Sequence, residues 1–142
     1  MAGPERVPLG LRLARAAKAV SRAFDDALAE AGGSRPTWLV LVSLRNLPLA
    51  SQRELADAIG IRGPTLTHHL DVMESAGLVT RRRDPGNRRA QLVELTGAGD
   101  ALYLRLEDAV TAFDQRLRRG IPAREAAEIE RYLDRLRDNV TK

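Results

Sequence analysis

A mainly α-helical fold carrying one small β-hairpin is predicted by three observations. Apolar residues recur at steps of three and four along most of the chain, the spacing of one helical face. Two such stretches meet across a tight, glycine-containing turn between Ile59 and Pro64. Directly after the second lie two short strand-like runs joined by Asp84-Pro85-Gly86-Asn87, a set of turn-forming residues. At 142 residues, 44% hydrophobic and 30% charged, the chain has the size of one domain and enough apolar content for a folded core.

The elements follow in order. After a short leader bearing Gly3, Pro4 and Pro8, residues from about 9 to 31 place Leu13, Ala17, Val20, Phe24 and Leu28 on one helical face. Gly32 and Gly33 end this helix, because glycine accepts the left-handed conformation just past a helix C-terminus. Ser34-Arg35-Pro36-Thr37 offers the next start, and Trp38–Leu44 is apolar nearly all round, which predicts a short buried helix; its β-branched content leaves a strand as the alternative. Leu47-Pro48-Leu49 breaks that segment. Ser51-Gln52-Arg53-Glu54 is a capping box, so a third helix begins near Gln52, carries Leu55 and Ile59 on one face and stops at Gly60. Gly63-Pro64 opens a fourth, proline being favoured at the first helical position, with Leu66, Leu70, Met73 and Gly77 on one stripe. Leu78–Arg83 and Ala90–Leu95 read as paired strands, and a hairpin in that place is the wing of a winged helix-turn-helix. Beyond Thr96-Gly97-Ala98-Gly99, Leu102, Leu106, Val110, Phe113 and Leu117 mark a long helix ended by Gly120. Pro122 then opens a last helix with Ile129, Leu133, Leu136 and Val140 on one face.

Several functions are excluded by composition. Without cysteine there is no disulfide, thiolate nucleophile, thiol-oxidation switch or Cys-based zinc site. The longest purely apolar run, Trp38–Val42, falls far short of the roughly 20 residues of a spanning helix, and the N-terminus lacks a signal-peptide pattern. The chain is therefore expected to be cytoplasmic, with no membrane partner. Aromatics at 4% argue against stacking platforms for single-stranded nucleic acid. His68 and His69 are the only histidines, and neighbours on a helix diverge by about 100°, so they cannot chelate one metal ion. With no Gly-rich phosphate loop and no Ser/His/Asp ordering, neither a cofactor nor an enzyme is expected.

Charge locates the binding surface. The net charge is only +4, and residues 97–142 are balanced, whereas Arg81, Arg82, Arg83, Arg88 and Arg89 crowd into nine residues of the hairpin, 81–89, with Asp84 alone in that stretch to oppose them. A hairpin tip this positive suits a phosphate backbone, whose neutralisation releases counterions. Projected at about 100° per residue, the fourth helix turns Pro64, Thr65, His68, Asp71 and Val72 outward, with Thr67 and His69 on the flanks. The N-terminal residues of such a helix reach base edges. Thr65, Thr67 and His68 are accordingly the base-contact candidates, with Arg62 just ahead of the helix and His69 either a contact or a packing residue. Ser51, Gln52 and Arg53, at the start of the preceding helix, are candidates for phosphate.

These stretches resemble the MarR family of bacterial transcriptional regulators. The likeness is carried by Glu54-Leu55-Ala56-Asp57 through Gly60, Thr65-Leu66-Thr67-His68-His69-Leu70-Asp71, Ala76-Gly77-Leu78-Val79 and, above all, Asp84-Pro85-Gly86-Asn87-Arg88-Arg89-Ala90 through Thr96-Gly97-Ala98-Gly99. The last is similar to the family's D-P-x-D-R-R-A-x-x-V-x-L-T-x-x-G wing signature, with Asn87 in place of the second aspartate. That change replaces the family's Asp-to-Arg pairing by an amide hydrogen bond or passes it to Asp84. The resemblance implies that the arginine entering the minor groove is Arg88 or Arg89, Arg88 at the tip being favoured with Arg89 bracing the hairpin, and Arg83 joins them in binding DNA.

It implies a single MarR-like unit over 1–142, with a DNA-binding lobe at 36–96 and dimerisation helices at 8–33 and 97–142. Independently, the long apolar stripes of the first and last two helices exceed what the small lobe can cover, which also predicts a homodimer. The expected function is a sequence-specific, duplex-DNA-binding, ligand-responsive repressor reading a palindromic operator. The alternative is a winged-helix module that meets an acidic protein partner. By resemblance, the effector is a small aromatic or phenolic anion, for which Trp38 offers an aromatic wall and Arg12, Arg15 and Arg45 offer a carboxylate partner.

Overall fold

Six helices and three strands are built by the described residues, 6–141 of a computed structural model. The first five residues of the leader and Lys142 lie outside them. The order is α1 (Leu9–Glu30), α2 (Arg35–Asn46), β1 (Leu49–Ser51), α3 (Gln52–Ile59), α4 (Gly63–Ser75), β2 (Val79–Asp84), β3 (Asn87–Leu95), α5 (Gly97–Leu117) and α6 (Ala123–Val140). This is the mainly helical winged helix-turn-helix that the spacing predicts. The apolar Trp38–Leu44 run is helical, started by Ser34, whose hydroxyl accepts from the Thr37 N–H at 3.3 Å, with proline in the first turn. By contact the chain forms two compact units, one up to Val110 and one from Thr111, the break falling inside α5.

In the first unit one continuous core is assembled from every element. It joins Leu28 of α1, Val40, Leu41 and Leu44 of α2, Ala50 of β1, Leu55 of α3, Leu66, Leu70 and Met73 of α4, Val79 and Val93 of the hairpin, and Leu102 and Leu106 of α5. Each fully buried Leu contributes about 1.5–3 kcal/mol over leaving it in water. The core thereby fixes which face of α4 is left outside. In the second unit Ala126 is buried, and Arg118 links Asp114 at 2.8 Å to Glu130 at 2.9 Å.

Three local features depart from the sequence reading. Leu47-Pro48-Leu49 does more than break α2: Leu49–Ser51 form a third strand, antiparallel to β3 with Leu49 opposite Glu94 and Ser51 opposite Leu92. Three residues are too few to show an alternating pattern, and the strand is defined by its pairing with β3, which buries Ala50 in the core. β3 begins at Asn87 rather than Ala90, because the turn is confined to Pro85-Gly86, where the Asp84 carboxylate accepts from the Gly86 N–H at 2.9 Å. Gly77 belongs to no inward stripe. It is exposed, takes φ +76° and closes α4 as a left-handed cap.

The exit from the hairpin is built around Thr96 and Gly99. The Thr96 hydroxyl donates to the Gly77 carbonyl at 2.6 Å and accepts from the Gly99 N–H at 3.0 Å, so one side chain caps α5 and ties it to the end of α4. Gly99 lies so close beneath the hairpin that a Cβ there would stand 2.1 Å from the Leu78 carbonyl oxygen and 3.0 Å from Leu95. The backbone carbonyl cannot swing aside as a side chain would. Gly99→Ala is expected to lower stability by about 1–3 kcal/mol, the usual cost of overpacking, as read from urea unfolding midpoints; an unchanged midpoint would refute the close approach.

Candidate nucleic-acid interface

The tight turn between α3 and α4 sets the interface. The Ser51 hydroxyl accepts from the Glu54 N–H at 3.0 Å while the Glu54 carboxylate accepts from the Ser51 N–H at 3.1 Å, which completes the capping box and starts α3. Gly60, at φ +79°, ends it and lets the chain reverse into α4 within three residues. Because Leu66, Leu70 and Met73 are buried, Thr65, His68, Asp71 and Val72 face solvent, and Thr67 and His69 are half-buried at the flanks. Arg62 and Arg53 are also exposed.

Two of the expected contact residues hold each other. The Gln52 amide donates to the Thr67 hydroxyl at 3.3 Å, and that hydroxyl donates to the Gly63 carbonyl one turn back at 3.0 Å. Gln52 also accepts from Arg81 at 3.4 Å. Their polar groups therefore join α3, α4 and the wing before anything binds.

Arg81 is the centre of that junction, and its position corrects the picture of five arginines turned toward a ligand. Its side chain retains only 16% of its exposure, and its guanidinium reaches Asp71 at 2.6 Å and Glu74 at 2.8 Å, while its backbone N–H donates to the second Glu74 oxygen at 3.2 Å. Burial works against the Arg81 charge, but the hydrogen bonds it donates to Glu74 and Asp71 outweigh that and hold its pKa above the ordinary arginine value. The same bond from Arg81 holds the Glu74 carboxyl below its ordinary value of 4.5. The two carboxylates come from the helix preceding the wing, seven and ten residues upstream, a pairing that no helical or strand period signals.

The remaining wing arginines are otherwise placed. Arg82, Arg83, Arg88 and Arg89 are exposed, and none is engaged in an ion pair. Asn87 accepts from the Arg89 backbone N–H at 3.2 Å, so the amide shapes the turn through the main chain and leaves the Arg89 guanidinium uncommitted. Instead of bracing the hairpin, Arg89 lines a cleft of about 430 Å³ together with Arg53, Ser51 and Gln52 at the start of α3.

Of the residues expected around an aromatic anion, two come together. Trp38 stacks on Tyr103 of α5, ring centroids 5.6 Å apart and planes 6° from parallel, and Arg45 lies over the same Tyr103 ring at 4.7 Å. The Arg45 charge is met by Asp100. Arg12 and Arg15 stand exposed on α1, without a hydrogen bond or ion pair to that group. Tyr103 and Asp100 were not legible as its members, because α5 reads in sequence only as an apolar stripe.

Residues 34–90, which include the α3–α4 pair and the start of the wing, match the model of the MarR family. Over that stretch the chain is similar to the MarR family. Solved structures similar to this chain include a cysteine-to-serine mutant of MarR from E. coli complexed with operator DNA, at 27% identity over 92% of this chain and 94% of that one, with a TM-score of 0.80. The transcriptional repressor CouR, solved bound to a 23-mer DNA duplex, is 28% identical over 91% and 92%, with a TM-score of 0.82. A MarR-family transcriptional regulator from Rhodococcus sp. RHA1 is 28% identical over 90% and 91%, with a TM-score of 0.75.

The Arg81 junction carries a pH signature. Since the folded Glu74 pKa is depressed, its stabilisation is fully present above 4.5 and is lost as pH falls through the lowered value. Glu74→Gln removes that component. The wild type is expected to melt above the variant at neutral pH, and the gap should close in acid; a gap independent of pH would show that the ion pair contributes nothing.

Proposed function

We propose that the chain is a sequence-specific, duplex-DNA-binding transcriptional regulator that acts as a homodimeric repressor. The observation that carries this reading is one continuous surface. It runs from the outward face of α4, with Thr65 and His68, past Arg53 at the start of α3, to four wing arginines that no carboxylate neutralises. An α-helix with short polar side chains at its exposed N-terminal turns suits the major groove, and a protruding basic hairpin beside it suits the flanking minor groove and phosphates. Thr65 and His68 are the base readers in this reading. The Thr67 hydroxyl, already held by Gln52, positions α4, and the groups free to bind phosphate are Arg53, Arg62, Arg82, Arg83, Arg88 and Arg89. Support also comes from the likeness to two proteins solved on DNA, one with operator DNA and the other, a repressor, with a 23-mer duplex.

Dimerisation is supported by apolar faces left in water. On α1, Leu9 is 64% exposed and Leu13 and Val20 are each 36% exposed, while on α6 Ile129, Leu133 and Val140 stand at 46%, 45% and 82%. A monomer seldom leaves stripes of this kind open. Two-fold pairing places the two α4 helices about 34 Å apart and calls for half-sites one turn apart.

Selection from a random DNA pool should return a palindrome with that spacing. On random duplex, Arg88→Ala should reduce the slope of log affinity against log salt by about 1. Absence of duplex binding at about 50 mM salt overturns the regulator reading and leaves capture of an acidic protein as its alternative.

A further inference from the structure

A second unpartnered positive surface lies on α1. Arg12, Arg15, Lys18 and Arg22 are all exposed, and none makes an ion pair or side-chain hydrogen bond. No acidic residue lies between Arg6 and Asp25, and Asp25 is itself taken by Arg35 at 2.9 Å. At about 100° per residue, Arg15, Lys18 and Arg22 fall on the side of α1 opposite Leu9, Leu13, Val20 and Phe24, with Arg12 on the border. Covering the apolar face with a second copy therefore leaves the basic row in water. Averaged over the first 61 residues the charge is nearly balanced, because the acids cluster after Phe24, so composition conceals the row.

We propose that this row is a second phosphate-binding surface that takes the backbone of another duplex segment, so that a protein seated on DNA by α4 and the wing bridges two stretches of DNA. The proposal rests on the DNA-binding reading given above. Four cations rise along roughly 15 Å of helix, a length over which duplex DNA presents about nine phosphates. Three of the four are arginine, whose planar fork holds phosphate oxygens in pairs. Insertion into lipid would need the apolar face beside the basic one to be open, which the dimer denies. No aromatic shares the row, which disfavours single strands. A duplex bound at the wing also raises the local DNA concentration at α1.

The test mixes the full chain with two random-sequence duplexes, one carrying a donor dye and one an acceptor. Energy transfer between them is expected with the wild type and should disappear as salt rises. Arg15→Gln/Lys18→Gln/Arg22→Gln should cut that transfer by about tenfold while leaving single-duplex affinity within about twofold, since three phosphate contacts leave the bridging event alone. Circular dichroism confirms that the variant is folded, and the milder Arg15→Gln/Arg22→Gln pair serves in its place if it is not. Transfer that survives in the variant overturns the proposal, as does its absence in a wild type that binds single duplexes normally. Loss of dimer mass in the variant assigns the row to a protein interface. Stripe-dependent capture of phosphatidylserine vesicles without bridging assigns it to lipid. A wild type that binds no duplex at all fails the regulator reading first, which is a distinguishable result.

Discussion

The orientation of the binding surface depends on one guanidinium. Arg81 leaves the first wing strand and reaches back to Asp71 and Glu74 of α4 and to Gln52 of α3, which in turn holds Thr67. Three elements that meet DNA in the proposed complex are thereby joined by polar contacts in addition to the apolar core beneath them. Ion pairs at half-exposed carboxylates add little net stability. Their geometric effect is larger, because a planar donor gripped by two carboxylates and an amide admits few angles between hairpin and helix. Groove recognition requires such a fixed angle, since a wing displaced by one residue spacing would miss its phosphates.

The core and the surface divide the work. Leu66, Leu70 and Met73 turn one side of α4 inward, and it is this burial that presents Thr65 and His68 outward. Gly99 presses α5 against the Leu78 carbonyl, and Thr96 caps α5 while holding the Gly77 carbonyl at the end of α4. A rotation of α5 about this point would carry the base of the hairpin with it. The path from the long helix to the wing is thus short and made largely of backbone.

Much of this was legible in the sequence because it follows local rules. The helices obey the 3.6-residue period, Ser51 and Glu54 spell a capping box, and Asp84-Pro85-Gly86-Asn87 spells a turn. The outward face of α4 follows from its inward one. What escaped is non-local. β1 is too short to alternate, and its existence depends on the edge of β3. Arg81 counts as one more basic residue until the fold brings Glu74 beside it, and Arg89 differs from it only in that no carboxylate arrives. Gly77 falls on the apolar stripe by arithmetic and leaves it by its positive φ. Tyr103 joins Trp38 and Arg45 only once α5 lies against α2.

The three-stranded sheet has a further property that follows from its order, β1-β3-β2. The long strand is central and paired on both sides, so among the described residues the open edges are a three-residue strand and β2, and β2 carries Arg82 and Arg83 in exposed positions. Unpaired edges recruit strands from other molecules, and charge along an edge is a common defence. The arginines assigned to the nucleic-acid surface therefore also guard the hairpin against stacking on its own kind. Solubility and recognition thus draw on the same few side chains, which limits how far the wing can drift toward neutrality without trading DNA binding for self-association.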